Sequence, residues 1–272
     1  MSLITISQSI GSADGEIARS VAKKLGLELF DDPQLRDRAK QLGIQSDDLK
    51  GLDEKAPGFL DRFLSSRPES YVEFMESVIY EVAKTGQGII MGHGSQILLQ
   101  DFSCALHVLI HAPESYRVEY MVKKQGLNPE DAQRLIKKSD NERRRFFNFA
   151  FSLNWDDPSL YDLVVNPGKL GNEAAANLIV QTAGMDEIKT CSLTALETME
   201  RRSHERAVRA VLLKSGINMS LLNVEVPRKG SVLLKGFSPE EDDKQRAIDL
   251  AKTVPGITEV EHDIAIVTRY DA

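Results

Sequence analysis

The sequence is sparing with cysteine, tryptophan and histidine: two, one and five in 272 residues. Two cysteines as far apart as Cys104 and Cys191 exclude a disulfide framework. A single bridge and two reduced thiols both remain open, and reduced thiols are the simpler expectation. The histidines are scattered, and none pairs with a cysteine at metal-ligand spacing, so no metal-binding residue is assigned. No stretch approaches the roughly 18 uninterrupted apolar residues of a membrane span. The opening MSLITISQ has no basic segment followed by an apolar core, so no secretory leader is expected and the expected location is cytoplasmic. Positive charge is also in short supply, with 34 Lys and Arg against 41 Asp and Glu, a net charge of −7. That balance disfavours nucleic acid as a partner. Residues 201–272 hold 12 basic and 11 acidic side chains, so the acidic excess belongs to the first 200.

What is present suffices for a packed core, with 42% hydrophobic and 28% charged residues. At about 100–200 residues per domain, the length predicts one large domain or two modest ones. The first two-thirds alternates strand and helix. Strands are predicted at 3–7, 27–32, 88–94 (running into a second glycine loop), 105–112 and 162–166. Helices are predicted at 14–25, 33–54, 69–85, 113–125, 129–150 and 171–182, with a loop at 56–68. Such alternation predicts a parallel sheet with helices on both faces, and ligands gather at the carboxyl ends of such strands. The segment 184–200 changes character and reads as a linker. Beyond it a helix at 203–214, a hairpin at 221–237 turning near Arg228–Gly230, a helix at 239–253 and a strand at 257–267 predict a small α+β unit. Its order is αββαβ, with a small antiparallel sheet. The expected division is therefore 1–183, 184–200 and 201–272.

The most informative stretch is ITISQSIGSADGEIARSVAKKLG, residues 4–26. A β-branched strand runs into a small-residue loop with Gly11 and Gly15, then into an amphipathic helix. Strand, glycine loop and helix is the layout in which backbone N–H groups and a helix N-terminus cradle a phosphate. The pattern G-x-x-x-x-G-K-[ST] is absent: no lysine follows the glycines, and Asp14 stands near its place.

Three segments together resemble the cytidylate kinase-like family, the branch of nucleoside monophosphate kinases with an irregular phosphate loop. They are 4–32, then GIIMGHGSQILLQDF with ALHVLIHAPESYRVEYM, and SDNERRRFFNFAFSLNWDDPSLYDLVVNPGKLG. The match covers roughly 3–180. The last 70 residues resemble a BON domain, in the strand NVEV, G-S-V-L-L-K-G and V-P-G-I-T-E-V. The resemblance implies a P-loop kinase-like sheet and transfer of the ATP γ-phosphoryl to a pyrimidine monophosphate with Mg²⁺. It implies a nucleotide partner, and a protein or lipid partner for the second unit.

Carried over residue by residue, the phosphate loop is Gly11, Ser12, Ala13, Asp14, Gly15 and Glu16. Many members read G-S-G-G-R-E where this chain reads G-S-A-D-G-E. Ala13 can present its N–H if its φ stays negative. Asp14 either caps the first helix or places a carboxylate near the phosphates, where two unit charges 4 Å apart repel by about 4 kcal/mol at an effective dielectric of 20. Asp31, Gly92, His93 and Gly94 fall at the acceptor side. Relatives usually place arginine between those two glycines, so His93 is a weaker, pH-dependent substitute. Asp32 either caps a helix begun by Pro33 or faces the site. Arg117 and Arg143 match the arginines that clamp phosphates from a lid, with Arg144 beside them. A solvated helix face is the alternative. Three functions follow: a kinase, active or weakly so; a nucleotide sensor without catalysis, signalling through the second unit; or an interaction or lipid-attachment protein.

Overall fold

The computed structural model describes residues 2–13, 15–42, 44, 68–189 and 193–267, apart from the side chains of 68–71, 189 and 193. Five strands form one all-parallel sheet: β1 (Leu3–Gln8), β2 (Leu29–Phe30), β3 (Gly88–Met91), β4 (Ala105–Ile110) and β5 (Leu163–Val165), in the order β2-β3-β1-β4-β5. The central strand β1 is buried along its whole length. Its side chains alternate between two cores, as a pleated strand must. Ile4 and Ile6 join α1 (Glu16–Leu25) and α7 (Pro167–Ala183) on one face. Leu3 joins a second core on the other, built with α2 (Asp32–Gln41) and α3 (Pro68–Ala83). Short α4 (Ser95–Leu98) follows β3, while α5 (Glu114–Gln125) and α6 (Pro129–Phe151) lie between β4 and β5.

The predicted strands and helices of this unit lie where expected, with differences at their ends. The N-cap of α1 is Gly15, in the left-handed region, and Asp14 lies outside the described residues. The N-cap position of α2 is Asp31 rather than Asp32, with no capping hydrogen bond from its side chain; Asp32 is the first helical residue, and its carboxylate is engaged by His93. The predicted loop at 56–68 and the end of the helix predicted over 33–54 fall largely outside the described residues.

The C-terminal unit has a three-stranded sheet, β6 (Leu222–Arg228), β7 (Ser231–Ser238) and β8 (Glu259–Ile266), in that order. It is mixed rather than antiparallel. β6 and β7 form the predicted hairpin, but β8 runs parallel to β7. The reason is α10 (Glu241–Lys252): a helix placed between two adjacent strands carries the chain back to its starting end, so the second strand runs parallel. The predicted linker is largely ordered: short α8 (Asp186–Lys189) follows α7, and α9 runs unbroken from Leu193 to Lys214. Met199 and Ala210 of α9 belong to the core of the larger unit, while Ala207, Val208 and Leu212 belong to the core of the smaller one.

Helix α9 also carries charge to α3. Arg209 holds Glu73 bidentately at 2.6 and 3.0 Å, Arg206 Nε stands 2.9 Å from Glu76, and the Ser203 hydroxyl donates to Glu81. Burial pushes the Glu76 carboxyl above its ordinary 4.5, with Arg206 acting against it. Cys104 is disulfide-bonded, so the free thiol expected there is not found; Cys191, the only other cysteine of the chain, lies outside the described residues. No helix among the described residues is long and apolar enough to cross a membrane.

Candidate functional site

The first glycine loop leaves β1 at Gln8 and enters α1 at Glu16. Its backbone alternates in hand: φ is +78° at Gly11, +71° at Ala13 and +80° at Gly15, and it stays out of the positive region at Ile10 and Ser12. Ala13 therefore does not keep the negative φ expected of it. A left-handed alanine costs roughly 1–2 kcal/mol, and here the residue is fully buried. Alternation of this kind turns successive N–H groups toward one concave side, which is the backbone geometry of an anion site. Gly11 is required by proximity as well as by its φ, because a Cβ there would stand 2.9 Å from the Arg117 carbonyl.

Two polar side chains in this loop are buried without satisfying themselves. Ser12 is fully buried and its Oγ has no hydrogen-bond partner. Gln8 accepts the Gly15 N–H at 3.1 Å through Oε1, while its buried Nε2 has no partner. Buried polar groups are overwhelmingly paired in folded proteins, so two such donors in one cradle fit a ligand rich in acceptor oxygens. Asp31 Oδ1, Ser95 Oγ and Trp155 Nε1, from the ends of β2 and β3 and the turn after α6, are in the same condition.

The arginines divide. Arg117, 3% exposed, donates from Nε to the Ile10 carbonyl at 2.7 Å and grips both oxygens of Asp140 at 2.8 Å. Arg143 donates to the Gln8 carbonyl and lies over the Trp155 ring, 4.8 Å from its centroid. Both thus meet the backbone of the first loop from α5 and α6. Arg144 is exposed and donates to Asn141 on its own helix. Glu16 is bonded to Tyr120 and Asn172 and ion-paired with Lys124. Lys124 above all, with Tyr120 and Asn172, holds its carboxyl below the ordinary 4.5 despite some burial.

The second glycine loop follows β3. Gly92, His93 and Gly94 have φ of +70°, +57° and +69°. The imidazole of His93 is fully buried, and its Nε2 lies 2.8 Å from Asp32 Oδ1. A Cβ at Gly94 would meet the Phe151 ring at 2.6 Å, so the loop also seats the end of α6. Phe146 and Phe147 are buried, while Phe149 is 52% exposed.

Two residues at this edge escaped the reading of the sequence. His111, just after β4, shares a 2.8 Å hydrogen bond with Ser9 Oγ and stands edge-on to Trp155. Burial foremost, then Arg117, lower its affinity for a proton, against Asp140 and Asp156. Its position directly before Ala112-Pro113 was the available signal. The other is Gln96, on α4 just past the second glycine loop. Nearby, Tyr161 donates to the Trp155 carbonyl and accepts from Gln96, and Asp162 accepts the His107 N–H at 2.8 Å.

A family model for the cytidylate kinase-like family matches residues 3–169. The chain belongs to this family. A BON domain model matches residues 203–268. Among similar proteins, a cytidylate kinase of Archaeoglobus fulgidus is 25% identical over 188 residues, covering 68% of this chain and 97% of its own. One from Pyrococcus horikoshii is 24% identical over 179 residues, 65% of this chain and 85% of its own. The crystal structure of an uncharacterized protein from Eubacterium ventriosum aligns with a TM-score of 0.54 at 17% identity, over 68% of this chain and 99% of that one. That last likeness concerns the fold alone. The cytidylate kinase-like family is thus matched over the unit that holds both glycine loops.

Proposed function

We propose that the chain is a phosphotransferase that moves the ATP γ-phosphoryl group to a pyrimidine nucleoside monophosphate. The observation that carries this reading is the first loop, with its alternating backbone and its buried, unpaired Ser12 Oγ and Gln8 Nε2. In the overall exchange, ATP and the monophosphate become ADP and the diphosphate. When bound, Mg²⁺ would neutralise phosphate charge. Asp31, whose Oδ1 is buried without a partner, is the carboxylate that fits its hydration shell.

The residues of the chain position and neutralise, which is most of what phosphoryl transfer asks of a protein. The amides of the segment Gly11–Glu16 would cradle the donor phosphates. Arg117 and Arg143 fix that loop through the Ile10 and Gln8 carbonyls. The acceptor would lie toward Asp31 and the Gly92–Gly94 loop. The second unit is read as accessory, with a protein or lipid partner.

The test is release of ADP from ATP with CMP, dCMP or UMP as acceptor. Turnover with any of them supports the proposal, and absence of turnover with all three, on folded protein, ends it. A second reading, a sensor that binds nucleotide without transfer, draws on one observation: α9 joins both cores and is ion-paired to α3, so a movement of the acceptor side would reach the second unit. Calorimetric binding of ATP or CMP without turnover would favour it.

A further inference from the structure

This inference rests on the reading of the chain as a phosphotransferase. A ring of polar contacts at the carboxyl edge of the large sheet joins the two glycine loops. Its centre is Gln96, the second residue of α4, two positions past Gly94 and 1% exposed. Gln96 Oε1 accepts from the Ser7 hydroxyl of β1 at 3.2 Å, and Gln96 Nε2 donates to the Tyr161 hydroxyl at 3.1 Å. Tyr161 in turn donates to the Trp155 carbonyl. The Arg143 guanidinium lies over the Trp155 ring and donates to the carbonyl of Gln8, the neighbour of Ser7. The contacts therefore close on themselves, from Ser7 round to Gln8, by way of α4, the segment after α6 and α6 itself. Every direction in the ring is fixed. A carbonyl can only accept, so Tyr161 spends its single proton on Trp155 and must accept from the Gln96 amide. That orients Oε1 toward Ser7. An amide supplies the donor and the acceptor together, without the charge that a buried carboxylate would bring.

We propose that Gln96 is a positioning residue for phosphoryl transfer. It holds Gln8 through Ser7, and Arg143 through Tyr161 and Trp155, so that the donor-phosphate loop and the arginine reaching it from α6 keep one register. It touches no phosphate itself. Three observations carry this. The ring closes at Gln8, whose Oε1 holds the Gly15 N–H and whose Nε2 stays buried in the cradle without a partner. Arg143 is the half-buried member of a ring whose other side chains are all buried. Helix α4 follows directly on the Gly92–Gly94 loop, so one amide ties the acceptor side to the donor side. A fully satisfied buried network of this kind specifies a single arrangement. Phosphoryl transfer depends on such alignment, and a displacement of about 1 Å remote from the reacting atoms can cost about 100-fold in rate.

Steady-state kinetics of the full chain test this, with ATP and whichever of CMP, dCMP or UMP the wild type accepts. Gln96→Met keeps the volume and removes both hydrogen bonds. Tyr161→Phe cuts the ring beyond Gln96 and leaves the Ser7 contact in place. The wild type, both single variants and the double variant are assayed well below the Tm of each. In each single variant kcat should fall by about 10- to 100-fold, while KM for ATP changes by less than about threefold. The double variant should be no slower than the slower single one, because both substitutions open the same ring. A kcat within about threefold of wild type in Gln96→Met, whatever its Tm, overturns the inference and leaves the phosphotransferase standing. So does a rise in KM alone, or a loss in the double variant equal to the product of the two single losses. Should Gln96→Met not fold, kcat of Tyr161→Phe decides by the same criterion. If the wild type itself turns over none of the three acceptors, the phosphotransferase reading and the inference fall together.

Discussion

The two glycine loops sit side by side at the carboxyl ends of β1 and β3, and both are built from left-handed residues, yet they are finished differently. The second is closed by the protein itself: His93 is buried and bonded to Asp32, and Phe151 fills the space over Gly94. The first is held from outside by Arg117 and Arg143 and keeps Ser12 Oγ and Gln8 Nε2 buried without partners, whereas beside the second, among the described residues, only Ser95 Oγ, just past Gly94, is left so. The contrast teaches that a glycine loop at a strand end is a conformation, and that the side chains around it decide whether it binds. An arginine between the second loop's glycines would carry a permanent charge. Here that place is held by His93, whose Nε2 is engaged by the Asp32 carboxylate.

The comparison breaks most severely at Arg117. Arg117→Ala strands the Asp140 carboxylate and the Ile10 carbonyl and should cost about 3 kcal/mol of stability, at the low end for a broken buried pair because Asp140 reaches water. Urea unfolding measures it, and a loss under 1 kcal/mol would mean the first loop does not depend on that external support. Next comes Asp32→Ala, which deprives a fully buried imidazole of its 2.8 Å partner. About 2 kcal/mol should be lost, with ATP affinity unaffected. A drop in ATP affinity would show that the two loops are not independent.

Acidification should weaken the first loop's surroundings. His107, on β4 beside β1 and bonded to Thr5, and His111, bonded to Ser9, both have proton affinities depressed below the ordinary 6.5, foremost by burial. His204 is depressed for the same reason. The unfolded chain then binds more protons than the folded one below about that value. Their stabilisation is present above pH 6.5 and is lost as pH falls through the range below it. Glu76, raised above 4.5, works in the opposite sense at lower pH. Tm should therefore fall between pH 7.5 and 5.5, and a rise would contradict the assignment. The smallest effect on stability is expected of Ser12→Ala. Its hydroxyl has no partner, so stability should change by less than about 0.5 kcal/mol while ATP affinity drops several-fold. A large loss of stability with unchanged affinity would make Ser12 structural.

The sequence made the sheet legible because each β-branched run is short, apolar and followed by a turn signal, and the first loop because its glycines stand between strand and helix. Three things were hidden. The His93–Asp32 contact joins residues 61 apart, and nothing local announces it. Gln96 reads as one polar residue ahead of an apolar run, and its partners Ser7 and Tyr161 stand 89 and 65 residues away. Helix α9 shows only part of itself, because one side serves the larger core and another the smaller. Its apolar residues therefore blur into a weak period, and the segment before 203 reads as a linker.

That shared helix has a thermodynamic consequence. At 22 residues it is about 33 Å long, enough to cross a small domain. Met199 and Ala210 belong to one core and Val208 and Leu212 to the other, so melting either unit removes support from the helix that the other uses. Heat should unfold the chain in one calorimetric peak, with no separate early transition for the smaller unit. Cutting the chain at residue 200 would part Met199 from Ala210 and so divide a helix that serves both cores.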